Sequence, residues 1–182
     1  GFDGHFEFRD LETLGGLLNY ISVGEVFCNN LVGWPEPMKA LAAIKKARNV
    51  AGSRLTLAVH DYYVLCPSYN LINDRGVYCN LPSVTECQRC LPRNRFKESA
   101  KNVDIREWRG GWQALIDETD QLLCFSKSSL DLVSRIYQLR PSQLLVRPHA
   151  LESNFTSKPN ISFDNGLHIG VVGGINHAKG AA

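Results

Sequence analysis

Apolar and polar positions along this chain switch repeatedly between a strand-like and a helix-like rhythm. Short apolar runs at Glu25 to Asn29, Arg54 to Val59, Gln121 to Phe125, Leu144 to Val146 and Leu167 to Val172 read as buried strands. His5 to Arg9 alternates like another short strand. Between them lie helical patterns. Asp10 is a candidate cap for a helix from Leu11 to Tyr20, and Pro37 is well placed as the first residue of one reaching about Asn49. In that second helix Met38, Leu41, Ala42 and Ile44 share a face, Lys39, Lys45, Lys46 and Arg48 are solvated, and Gly52 ends it. Asp104 with Glu107 three residues on resembles a capping box opening a helix to Glu118, with Trp108, Trp112 and Leu115 on one side. Gly110-Gly111 weakens that helix. Ser126 or Ser128 caps a last one, to about Tyr137.

Strands alternating with helices predict an α/β chain built on a parallel sheet with flanking helices. Two stretches break the alternation. Residues 61 to about 103 read as irregular, punctuated by Pro67, Pro82 and Pro92, and so long a loop is usually functional or tied down. Residues 150 to 165 are rich in Ser, Asn, Thr, Lys and Pro and read as a linker, which places a domain boundary there.

Composition narrows the function classes. At 182 residues the chain is one generous domain or one domain and part of another. A net charge of +2 is too small to point to nucleic acid. No segment approaches the roughly 20 apolar residues of a membrane span. Secretory features are lacking, so the expected location is cytoplasmic.

Six cysteines are few for a disulfide scaffold. Cys28 and Cys124 fall in apolar runs and are expected to pack as small buried hydrophobes. Cys66, Cys79, Cys87 and Cys90 fall together in the irregular stretch, the last two as a CxxC pair. Zinc, two disulfides and free thiols all remain open. Zinc leads, because CxxC delivers two thiolates to one tetrahedral ion and the loop needs a constraint to stay ordered. Four thiolates would close the ion's coordination and make it structural.

Ligands of an open parallel sheet sit beyond the carboxyl ends of its strands, which singles out His60-Asp61 after Val59, and then His149 after Val146. A strand-end histidine is also often an ordinary hydrogen-bonded residue. Tyr62-Tyr63 is expected to pack the loop, and Trp34 and Trp112 to anchor loop or helix to sheet. The turn from Gly170 to Gly180 follows a strand, and Gly173, Gly174 and Lys179 suit a phosphate. A plain strand–helix turn with a surface lysine explains them equally well.

Several of these pieces, in this order, resemble a family-4-like glycosyltransferase of the two-domain B-type fold. The resemblance rests on Asn29-Asn30-Leu31-Val32-Gly33-Trp34-Pro35, on Ala58 to Pro67 and on Leu123 to Ser129. It continues through Leu145-Val146-Arg147-Pro148-His149-Ala150 and the Gly173 to Gly180 turn. The cysteines resemble a subgroup with HDY, CP and later cysteines on the acceptor side.

The resemblance implies a Rossmann-like acceptor-side domain at 1–150, a linker at 151–165 and the start of a nucleotide-sugar domain at 166–182. It implies a nucleotide-sugar donor, a saccharide or lipid-type acceptor, usually retention, and peripheral membrane association as an option. His60 would face the donor sugar, Asp61 would orient the loop or touch acceptor, and Lys179 would hold the diphosphate. Two departures stand out. Gly174 occupies the place of the family's arginine, and the acidic donor motif does not occur before Ala182. The first strand and its glycine-rich loop are also missing, so this piece is expected to be inactive alone. The competing reading is a noncatalytic interaction module with a zinc-stapled loop. An epimerase-like nucleotide enzyme ranks third, because the usual glycine fingerprint is absent.

Overall fold

The computed structural model describes residues 13–98 and 103–149. The chain divides into two compact units, Gly1–Pro148 and His149–Ala182, and all the architecture below belongs to the first. The expected strand at His5 to Arg9, the cap Asp10, the linker and the strand at Leu167 to Val172 lie outside the described residues.

Four strands, β1 (Glu25–Cys28), β2 (Arg54–Val59), β3 (Gln121–Cys124) and β4 (Leu144–Val146), form one sheet in the order β1-β2-β3-β4. Every pairing is parallel, so the unit is an α/β, Rossmann-like sheet. Register sets Cys28 beside Leu57, Leu57 beside Leu122 and Val59 beside Cys124, a row of apolar side chains on one face. All five of those residues are buried, in line with the packing expected of Cys28 and Cys124. The opposite face carries Phe27, Thr56, Ala58 and Leu123 in the same way, and there Phe27 is 55% exposed.

One helix precedes the sheet and the others fill its connections. They are α1 (Leu14–Tyr20), α2 (Pro37–Ala51), α3 (Val84–Cys90), α4 (Ile105–Ile116) and α5 (Lys127–Ser134). Sequential strand order with right-handed crossovers puts connecting helices on one face. The contacts agree: α1 lies on α2, α2 on α4 and α3 on α4. Pro37 opens α2 and Gly52, at φ 63°, closes it in the left-handed conformation a Cβ disfavours. In α2 Ala42 is exposed, and the buried face runs instead through Pro37, Ala40, Leu41 and Ala47. Gly110-Gly111 does not break α4. A Cβ on Gly111 would come within 2.9 Å of Met38 Sδ, so the glycine is what lets α4 lie close on α2. Ser126 is the cap of α5, accepting from Ser129 N at 3.0 Å, and the helix ends at Ser134, short of Tyr137.

The stretch after β2 is more ordered than its sequence suggests. It contains α3 and a 3-10 turn at Leu91–Arg93. A full capping box opens α3: Glu86 N donates to Ser83 Oγ at 3.3 Å, and Ser83 N to Glu86 Oε2 at 3.0 Å. The CxxC pair therefore sits on a helix, three residues apart on one side, and not in a tight turn.

Asp120, just before β3, joins that strand to β2. Leu55 N donates to Asp120 Oδ2 at 2.8 Å, and Asp120 N donates to Leu55 O at 2.9 Å. The Leu55 hydrogen bond holds the Asp120 carboxyl below its ordinary value; burial opposes it, and the Arg48 hydrogen bond adds a smaller lowering effect. Leu55 is fully buried, so Asp120→Ala strands its N–H and is expected to cost about 1–3 kcal/mol. The part-exposed ion pair with Arg48, at 3.2 Å, adds little to that. A depressed folded-state pKa stabilises above the unfolded value, about 3.9, and that share is lost as pH falls through the lower folded value. Urea midpoints of wild type and Asp120→Ala should accordingly differ most at neutral pH and converge in acid.

Candidate functional site

Because all four strands are parallel, their carboxyl ends share one edge of the sheet. That edge collects Asn29-Asn30 after β1, His60-Asp61 after β2, Phe125-Ser126 after β3 and Arg147 after β4. It is the edge where this class of sheet binds ligands. His60 is exposed there, with its ring edge-on to Phe125 at 6.2 Å and 86°.

Asp61 has both oxygens engaged. Oδ1 accepts from Tyr63 N at 2.8 Å, closing a turn, and Oδ2 accepts from Asn30 Nδ2 at 2.8 Å. Asn30 in turn takes Val32 N on its Oδ1 at 2.6 Å. The carboxylate thus ties the end of β1 to the end of β2, which makes it a positioning group. A cavity of only about 10 Å³ lies beneath, lined by Asn30, Leu31, His60, Asp61, Tyr63 and Trp112 among others. The Trp112 indole N–H is buried without a protein acceptor.

Three successive carbonyls beyond Asp61 are held from below. Trp108 Nε1 donates to Tyr63 O at 2.9 Å, Tyr137 Oη to Val64 O, and Arg109 Nε to Leu65 O at 3.2 Å. Burial pushes the Tyr137 hydroxyl well above its usual range, so it stays protonated and donating. Tyr63 is buried against Trp108 and Trp112, with ring centroids 4.8 and 6.4 Å away. This is the loop packing expected of Tyr63. Trp34, by contrast, is 39% exposed and anchors less than its residue type suggests, whereas Trp112 is buried as expected.

Neither protein-family models, curated proteins nor solved structures match this chain.

The four clustered cysteines border a common space. Cys66, Cys79, Cys87 and Cys90 all line one cavity of about 400 Å³, and all are unpaired. Burial pushes the Cys66 thiol up to about 12, with Cys79 and Cys87 adding to the rise and the Ser68 backbone and Arg109 opposing it. Cys87 and Cys90 are raised for the same first reason, and each also responds to Cys79. Among the described residues, no three His, Cys, Asp or Glu side chains stand arranged to hold a metal ion. Nor does the segment depend on a staple alone. Asn94 Nδ2 donates to Ile72 O at 2.8 Å, Cys79 N to Leu71 O at 2.9 Å and Glu98 N to Pro67 O at 3.0 Å.

The structure therefore brings His60 and Asp61 to the expected edge and gathers the cysteines. His149 is exposed and begins the second unit. Gly173, Gly174 and Lys179 lie outside the described residues. Asn30, Arg109 and Tyr137 are positioning residues that the sequence reading left without a role. Only Asn30 carried a signal, as part of the Asn29 to Pro35 motif.

Proposed function

We propose that this chain is the acceptor-side part of a glycosyltransferase similar to the family-4 enzymes. It would move a sugar from a nucleotide-sugar donor to a saccharide or lipid-type acceptor, with retention. One observation carries the reading: His60 stands exposed at the carboxyl end of β2, on a backbone that Asp61, Trp108, Arg109 and Tyr137 fix. Such preorganisation is what a group facing a reacting sugar needs, since misplacement by an ångström is costly. In this scheme His60 faces the donor sugar and Asp61 positions it. Lys179, with the Gly173-Gly174 turn, neutralises the diphosphate as the leaving group gains charge. A cytoplasmic setting belongs to the same proposal, and six unpaired cysteines fit a reducing compartment. Among the described residues no helix is long and apolar enough to cross a membrane.

The test is donor turnover by the natural protein that contains this sequence, with and without His60→Ala. Transfer is expected to fall about 10²–10³-fold while the circular dichroism spectrum is unchanged. Unchanged turnover would falsify the assignment. A noncatalytic interaction module is the second reading. It is favoured by cavity size, since the space among the cysteines far exceeds that beside His60. It predicts no transfer by any variant, the wild type included.

A further inference from the structure

The four cysteines span Cys66 to Cys90, yet their side chains border one cavity and none is paired with another. Three of their neighbours already treat the sulfurs as acceptors. Asp74 N lies 3.3 Å from Cys90 Sγ, Asn94 Nδ2 lies 3.6 Å from the same sulfur, and Arg109 Nη2 lies 3.8 Å from Cys87 Sγ. N–H donors of this kind stabilise thiolates, and outer partners are as much part of a metal site as its ligands. Arg75, Arg89 and Arg93 border the same cavity, although Arg93 also pairs with Asp74 at 3.0 Å. Asp74 and Glu86 border it too, so with Arg109 beside Cys87 the cations outnumber the carboxylates four to two and offset part of the net charge of about −2 that four thiolates and one Zn²⁺ carry.

We propose that Cys66, Cys79, Cys87 and Cys90 together bind one zinc ion. Four Zn–S bonds form, the thiols release their protons to solvent, and the ion gives up its waters. Binding would bring the sulfurs to about 2.3 Å from the metal, closer together than they stand around the cavity. Cys87 and Cys90 come from one side of α3. Cys66 comes from the root of the segment, one residue beyond the carbonyls that Trp108, Tyr137 and Arg109 hold. Cys79 closes the set from beside the Ile72–Tyr78 bridge. With every position taken by protein, no water is activated and the role is structural. The ion would lock the segment that follows His60, independently of whether the protein transfers sugars.

The experiment uses the natural protein, purified under reducing conditions without chelator. Elemental analysis should find zinc bound, and denaturation should release it with the six thiols of this sequence all reactive, as peptide mapping of the labelled protein reads. Cobalt(II) exchange should give the intense visible bands and near-ultraviolet sulfur charge transfer of a tetrahedral thiolate site. Cys79→Ser and Cys90→Ser should lose the metal, whereas Cys28→Ser and His60→Ala should keep it. Less than a tenth of an equivalent of zinc after zinc-supplemented expression overturns the proposal. So does a preparation made without reductant in which Cys66, Cys79, Cys87 and Cys90 are unreactive in denaturant while Cys28 and Cys124 react, which would mean two disulfides. Should the cysteine variants fail to fold, the cobalt spectrum of the wild type decides alone.

Discussion

Trp108→Ala is expected to lower the free energy of unfolding by about 3–5 kcal/mol, the largest stability effect of any single substitution suggested here. The indole is 1% exposed and packs edge-on to Tyr63, so its removal opens a cavity under the turn that carries His60 and Asp61. It also takes the donor from Tyr63 O, leaving a buried carbonyl short of a partner. Trp108→Phe separates the two effects, because it keeps most of the packing while losing the N–H. Its expected cost is about 1–3 kcal/mol. Urea denaturation followed by circular dichroism measures both. A loss below about 1 kcal/mol for the alanine variant would mean that the turn is held elsewhere.

The second large effect concerns Asp61. Asp61→Ala removes acceptors from Tyr63 N and Asn30 Nδ2 together, and is expected to cost about 2–4 kcal/mol, since both bonds reach a charged group. Asp61→Asn is the sharper variant. Its carbonyl can keep one bond, but its amide then faces the Asn30 amide, whose own oxygen already serves Val32 N. About half of the alanine cost should remain. If the carboxylate only positions the loop, transfer in the Asn variant should fall in step with the displacement of His60. A shift of its pH profile away from wild type would instead mean that Asp61 exchanges a proton with substrate.

Most of the sheet was legible because its strands are short and mainly apolar, with polar residues only at Glu25, Arg54, Thr56 and Gln121. Leu55 to Val59 carries a single polar residue, Thr56, buried with the rest, and β4 begins and ends where its pattern does. Proline and glycine fixed both ends of α2 through backbone geometry alone. The stretch after β2 was less legible, for a different reason. Its order comes from bonds between residues far apart in sequence, such as Arg135 Nη2 to Asn80 O at 2.9 Å and Tyr137 to Val64 O, which leave no periodic trace. The helix α3 did announce itself, through Ser83 and Glu86, but Pro82 and Pro92 around it masked the signal. At the site, strand ends located His60 and Asp61 from sequence alone. That Asp61 has no free oxygen could be learned only from the fold.

The connection from β2 to β3 joins neighbouring strands, yet holds α3, a 3-10 turn and α4 between them. That connection carries part of the core itself, since Leu71, Leu91, Trp108 and Trp112 are all buried within it. Its first residues are gripped from its last helix and from beyond β3, because Trp108, Arg109 and Tyr137 hold three carbonyls one after another. The connection thus folds back on its own beginning, and a change that loosens α4 should be felt at His60 even where it touches no residue of the sheet's edge.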